Sequence, residues 1–283
     1  LHLSIRRQRQ MCIRDSFKRL VATWASAALL GCGLCPVEAR AESGGSAPGD
    51  NTGLSADLSA SLGSLWAISP GEDQAQQLCT ASYVGNAVWV TSQHCFPRID
   101  STYFLEGREG RRDAVDQVEV ISPDRDIAFL RTKHELGAVP LSGADSFPQL
   151  EEEVVLLGFG EDTVIPRAVP SKLMGRLEHL ETVEGWSFRH LFATSTTTRI
   201  SSCRGDSGGP ILYRGELVGV HTAGEVDHEC TGEPGKFGAE SYIDLASTET
   251  KEVLKRFSGP PQRREVSSES SEPKLLSSTK KAW

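Results

Sequence analysis

The run Cys203-Arg204-Gly205-Asp206-Ser207-Gly208-Gly209-Pro210 holds the strongest chemical signal in this sequence. A serine set among glycines lets the backbone fold tightly beside the hydroxyl, and N–H groups in such a turn can point at a developing oxyanion. A plain turn would not need this full order of residues. A serine hydroxyl is inert without a base. Residues 87–95 supply one, because the apolar run Ala87-Val88-Trp89-Val90-Thr91 leads through Ser92-Gln93 to His94 beside Cys95. A third group must orient the imidazole and stabilise its charged form. Asp124-Arg125-Asp126-Ile127-Ala128-Phe129-Leu130 offers acids at the mouth of an apolar strand, with Asp124 also reading as an ordinary turn residue after Pro123. Residues of these types can carry out nucleophilic acyl transfer, and that chemistry needs neither a metal nor an organic cofactor.

These three segments resemble the signature motifs of the chymotrypsin-like (trypsin-fold) serine proteases. CRGDSGGP resembles the nucleophile motif of that family, the strand ending in His94-Cys95 its AAHC motif with Ser92-Gln93 in place of two alanines, and Asp126-Ile127-Ala128-Phe129 its D-I-A-L segment. The chain order His, Asp, Ser also matches. The resemblance implies a triad of His94, Asp126 and Ser207, selects Asp126 over Asp124, and assigns the oxyanion hole to the N–H groups of Gly205 and Ser207. It implies Cys79–Cys95 and Cys203–Cys230 bridges, the first closing a loop worth roughly 3 kcal/mol. It covers about residues 62–257, and Gly158-Phe159-Gly160 resembles the family's G-W-G entry to the second barrel. The implied fold is all-β: two six-stranded antiparallel barrels (about 62–145 and 150–245) with the active site between them and a short C-terminal helix.

The chain also departs from the family pattern. Animal members free an Ile-Val-Gly-Gly terminus whose amine pairs with the aspartate before the serine, and no such terminus occurs here. Asp206 therefore needs either a preformed site or a partner among the arginines. The short interval from His94 to Asp126 implies trimmed loops, of a bacterial kind. By the family pattern Ser201 lies at the floor of the substrate pocket with Ser202 beside it, where cleavage after Lys or Arg requires an acid. Val220-His221-Thr222-Ala223-Gly224 forms a wall, with Thr222 where the family has a serine supporting the catalytic aspartate, Gly224 leaving the pocket open, and Gly235 lining the far side. GVHTAG is similar to the bacterial glutamyl endopeptidases, which carry a histidine at the place of His221 to meet an acidic side chain. The expectation is an acidic or large apolar residue before the scissile bond, with the acidic one slightly favoured.

The elements that must position these residues read as short strands. Periodicity and turn residues mark strands over 64–69, 77–84, 87–91, 115–121 and 127–131, and then over 154–158, 172–180, 187–194, 210–213, 217–222 and 236–243. Arg214-Gly215 suits a tight hairpin. One helical pattern stands out, over 245–257. Close spacing of short strands with little helix argues for barrels or sandwiches.

Other chemistries fit less well. Gly205-Asp206-Ser207-Gly208-Gly209 satisfies the G-x-S-x-G elbow of lipases and esterases, but that fold needs a helix after the serine, with the acid and histidine later in the chain. A protease-like binding module without activity is a further rival, which the filled triad positions oppose. His94-Cys95 and His228-Glu229-Cys230 offer metal-ligand types without the close pairs of zinc sites.

Composition sets the remaining bounds. The 283 residues carry a formal charge of −8 with no basic stripe among aromatics, which argues against nucleic acid and leaves protein or peptide substrates, acted on by a monomer. Residues 17–41 read as a secretory signal, with Lys18 and Arg19, an apolar run to Leu34, and Ala39-Arg40-Ala41 as a cleavage site. Export to the periplasm or outside would leave Cys79, Cys95, Cys203 and Cys230 to form two disulfides, and no membrane association. Lipidation at Cys32, after Leu29-Leu30-Gly31, ranks second because Leu30 fits poorly there. Residues 1–16 resemble a translated sequencing-adapter end and are set aside as an artefact. Residues 42–61 read as a flexible linker or propeptide and 258–283 as a disordered tail.

Overall fold

A short strand with one apolar face is stable only when that face is covered and its edges are paired, and closure into a barrel does both. The computed structural model describes residues 56–257 except 98–99, 183–184 and 226–229. The leader, most of the linker, the tail, and His228 with Glu229 lie outside the described residues. Six strands, β1 (Leu62–Ile68), β2 (Gln76–Gly85), β3 (Val88–Thr91), β4 (Thr102–Glu106), β5 (Arg112–Val120) and β6 (Ala128–Thr132), close in the order β1-β2-β3-β6-β5-β4. Six more, β7 (Glu153–Gly158), β8 (Arg167–Glu181), β9 (Ser187–Thr196), β10 (Pro210–Tyr213), β11 (Glu216–Gly224) and β12 (Phe237–Tyr242), close in the order β10-β11-β12-β9-β8-β7. Neighbouring strands pair antiparallel throughout, as the family resemblance implies.

Alternation within the strands sorts their side chains into three cores. Leu65, Tyr83, Trp89, Leu105 and Leu130 fill the first barrel, and Val154, Leu156, Phe192, Ile211 and Val218 fill the second. The opposite faces of the same strands meet in the seam, where Val88, Val90, Ile127 and Phe129 pack with Leu157, Leu212 and Val220. β3 and β6 are thus covered on both faces, which explains why their sequences are continuous apolar runs rather than strict alternations. The C-terminal helix α2 (Thr248–Phe257) caps this seam with Val253 and Phe257.

Some elements differ from the sequence reading. β4 carries no predicted counterpart: in Thr102–Glu106 only Leu105 is fully buried, opposite Leu65, so the alternation is barely visible. Residues 56–60, assigned to the linker by composition, form a one-turn helix (α1, Ala56–Ala60), and Ala60 and Ser61 are buried beneath it. Leu58 supplies the apolar contact there by packing on the seam. α2 begins at Thr248 rather than at 245, because Ala246 N–H donates to Asp244 Oδ1 (2.7 Å) in a turn and Ser247 Oγ then caps the helix by accepting from Thr250 N–H (3.2 Å). Arg214 and Gly215 both adopt positive φ (54° and 86°) between β10 and β11, the tight hairpin their types favour.

Candidate active site

Strand register brings the chemical residues to one edge of the seam. Thr91 at the end of β3 pairs with Ala128 at the start of β6, so the segments just beyond, carrying His94 and Asp126, emerge side by side. A 3-10 turn (Gln93–Cys95) follows β3 and presents the His94 ring, which is 22% exposed. Asp126 is fully buried, and both its oxygens serve His94: Oδ2 lies 2.7 Å from Nδ1, and Oδ1 accepts the His94 backbone N–H at 2.9 Å. A carboxylate bound at both oxygens to one residue fixes the ring plane and places the proton on Nδ1, leaving Nε2 as the basic edge. The Cys79–Cys95 disulfide ties the next residue to β2. Asp124 turns outward instead, with a side chain 47% exposed and bound by Ser122 Oγ, a hydrogen bond that holds its carboxyl below the usual range.

The serine turn is pressed against this edge from the second barrel. Gly208 donates its N–H to the His221 carbonyl (2.8 Å), and Ser92 Oγ, two residues before His94, donates to the same carbonyl (2.8 Å). A Cβ at Gly208 would overlap Thr91 Oγ1 and the Thr80 carbonyl and lie 2.9 Å from Ser92 N, so only glycine allows this approach. Thr80 completes the seam, with its N–H donated to the Ser207 carbonyl (2.8 Å) and its hydroxyl to the Gly205 carbonyl (2.8 Å). The Arg204 carbonyl accepts from Glu161 N–H at 2.8 Å. In a trans peptide the following N–H points the opposite way, so that of Gly205 is turned from Glu161. Among the described residues, no protein acceptor takes the N–H of Gly205 or of Ser207.

Asp206, just before Ser207, is buried at the root of this turn. Its Oδ1 accepts from Gly160 N–H (2.8 Å) and its Oδ2 from Cys203 N–H (2.8 Å) and Arg167 Nη2 (3.1 Å). Burial pushes its carboxyl above the ordinary value, and the Arg167 charge is the largest effect opposing that rise. Cys203 is bonded to Cys230, as the resemblance implies.

A cleft of about 730 Å³ runs beside Ser207, lined by Trp66, Leu78, Ser202, His221, Thr222 and Gly224 among others. Ser201 is buried, and its hydroxyl has no partner among the described residues. A Cβ on Gly224 would come within 2.5 Å of Ser202 Oγ, so glycine keeps this wall open. Two sequence expectations do not hold in the structure. Gly235 is exposed in the turn before β12, with open space where a Cβ would be, whereas Gly238, three residues on, borders the inner cavity behind the cleft. The Thr222 hydroxyl pairs with Ser241 Oγ (2.8 Å) on the neighbouring strand rather than with Asp126.

Behind the cleft wall lies a pair that the motifs did not reveal. His221 Nδ1 is 2.8 Å from Glu240 Oε2, and Thr194 Oγ1 donates to Glu240 Oε1 at 2.7 Å, all in buried side chains. Burial alone would lower the His221 pKa, but the charge and hydrogen bond of Glu240, with Asp206 and Asp126 farther off, outweigh it and hold the imidazole above its ordinary value. The available signal was a glutamate in the otherwise small and neutral run Gly238-Ala239-Glu240-Ser241 of a strand covered on both sides. Candidate metal ligands cluster only around the disulfide cysteines among the described residues, where sulfur is already bonded.

Two closed six-stranded barrels meeting at a seam that carries histidine, aspartate and serine define a protein of the trypsin fold. A family model described as Trypsin matches residues 61–243, and the chain belongs to the trypsin family, which makes it a serine protease by kinship. Hypodermin-A of Hypoderma lineatum is 25% identical over 206 residues, spanning 63% of this chain and 79% of that protein. A protease of M. tuberculosis in its active form is similar in structure, with a TM-score of 0.55 at 17% identity over 67% of this chain and 79% of that one. Neuropsin, a serine protease expressed in the limbic system of mouse brain, has a TM-score of 0.51 at 18% identity over 69% and 95% of the two chains.

Proposed function

We propose that the protein is a serine endopeptidase in which Ser207 attacks the scissile carbonyl, His94 takes its proton and Asp126 holds the imidazole. The observation that carries this reading is the buried Asp126 carboxylate, bound at both oxygens to His94, at the seam edge that also receives the Ser207 turn. As Ser207 Oγ bonds to the carbonyl carbon, its proton passes to His94 Nε2, and the resulting imidazolium is stabilised by Asp126. The N–H groups of Gly205 and Ser207 stabilise the tetrahedral oxyanion. Collapse expels the amine, which takes the proton from His94, and leaves an ester on Ser207. Water, deprotonated by His94, then hydrolyses that ester. The chemistry proceeds without a metal or an organic cofactor.

For the residue before the scissile bond the reading is acidic or large and apolar. Ser201 and Ser202 put no charge at the floor, and both Glu240 oxygens are engaged by His221 and Thr194, so Glu240 is not free to receive a Lys or Arg. His221 lines both the inner cavity and the cleft, and with Nδ1 held by Glu240 it is the group this reading assigns to meet an acidic side chain. Two disulfides suit an oxidising compartment, in keeping with a secreted or periplasmic protein. The test is labelling by a fluorophosphonate probe, expected for the native chain and abolished by Ser207→Ala. Equal labelling of the two proteins would remove Ser207 from the mechanism.

A further inference from the structure

The Asp206–Arg167 ion pair takes no part in acyl transfer, yet several features of the second barrel accommodate it. The Asp206 carboxylate is 1% exposed, and Arg167, opening β8, lies over it at 22% exposure. Gly158 and Gly160 flank the pair: a Cβ at Gly158 would overlap Asp206 Oδ1, and one at Gly160 would lie 2.6 Å from Oδ2 and 2.5 Å from Arg167 Nη2. The Gly158-Phe159-Gly160 segment is therefore the bed of an ion pair. An ionised carboxylate at such depth persists only with a counter-charge and hydrogen bonds; without them it protonates or leaves for solvent. Asp206 also ties together the turn it belongs to, through the N–H groups of Cys203 and Gly160, and that turn carries Gly205 and Ser207.

We infer that Arg167 is a positioning residue that supplies the counter-charge for Asp206 from within the fold, so that the oxyanion turn is set in the uncut chain and no freed α-amine is required. This inference rests on the reading of Ser207 as nucleophile. Among the described residues, the cations acting on Asp206 are Arg167 from β8 and His221 from β11, and His221 is committed to Glu240. Glu161 and Arg204, on the segments packed against the turn, are exposed and line the cleft, and no hydrogen bond or ion pair joins either side chain to Asp206 among the described residues. Removing Arg167 therefore leaves a carboxylate that the site accepts only when protonated.

The experiment uses the full chain, fluorophosphonate labelling and a chromogenic peptide. Acetylating the α-amine of the native protein is expected to leave kcat/KM within about twofold, since a guanidinium is not acylated under those conditions. Arg167→Gln is expected to lower kcat roughly 100-fold, the scale of losing one oxyanion donor, with KM changed much less. Its activity should fall as pH rises and Asp206 ionises, and adding Asp206→Asn should flatten that profile. Arg167→Lys should restore most of kcat. Loss of activity on acetylation, or a native kcat and pH profile in Arg167→Gln, would overturn the inference. So would a native chain that stays inert until cut near its N-terminus, and that outcome would leave the protease reading standing. The acetylation arm needs no variant, so a poorly folding Arg167→Gln does not stop the test.

Discussion

Replacing Glu240 by glutamine tests the pocket most sharply, because Glu240→Gln keeps the shape and one acceptor for His221 Nδ1 while removing the charge. The native pair sits at 2.8 Å between side chains only 4% and 2% exposed, so His221 owes its raised pKa to that carboxylate. With the carboxylate gone, the largest effect opposing burial is removed and the His221 pKa is expected to fall, favouring the neutral ring. A hydrogen bond to a charged partner contributes about 1.5–3 kcal/mol and a neutral one about 0.5–1.5. The difference of about 1–2 kcal/mol corresponds to roughly 5–30-fold in kcat/KM at 1.4 kcal/mol per decade. The assay compares two peptides identical except for glutamate or phenylalanine before the scissile bond. Glutamate cleavage should fall by that factor in Glu240→Gln and phenylalanine cleavage should change little. The sign of the pH effect follows from the raised His221 value. Its stabilising contribution is complete below the ordinary imidazole pKa and is lost as pH rises through the elevated folded value. The native unfolding midpoint should thus decline across that window while the variant's stays flat. An unchanged Glu/Phe ratio, or faster phenylalanine cleavage than glutamate cleavage in the native protein, would refute the reasoning.

Two further outcomes concern the seam and its tether. Gly208→Ala combines a left-handed conformation (φ 79°) with overlap against Thr91 and Thr80, costing about 1–2 kcal/mol for the backbone and about 1–3 for overpacking. It should lower the urea midpoint and slow fluorophosphonate labelling, and native values for both would show that the barrels do not close over this glycine. Converting Cys79 and Cys95 together to serine opens a loop with a sequence separation of 16 and should cost about 3 kcal/mol, read as a lower thermal midpoint.

Sequence and structure divide the information along physical lines. Turn chemistry and strand alternation act between near neighbours, so the Arg214-Gly215 hairpin, the apolar strands leading to His94 and out of Asp126, and α2 were legible in the chain. β4 was not, because one buried leucine in five residues leaves little pattern and only its pairing with β1 and β5 makes it a strand. The α1 turn was hidden by a composition typical of linkers, since Leu58 acquires its packing partners only when the seam exists.

The sequence by itself determined which residue types stand in the segments around His94, Asp126 and Ser207, because a strand edge and a glycine-rich turn are local constructions. Tertiary structure alone decided the rest. It turned Asp124 out and Asp126 in, gave Asp206 its partner Arg167, gave His221 its partner Glu240, paired Thr222 with Ser241, and left Gly235 exposed. One physical reason covers the buried pairs among these cases. A buried charge or hydroxyl must find a partner across space, and barrel closure, not chain proximity, sets which strand supplies it.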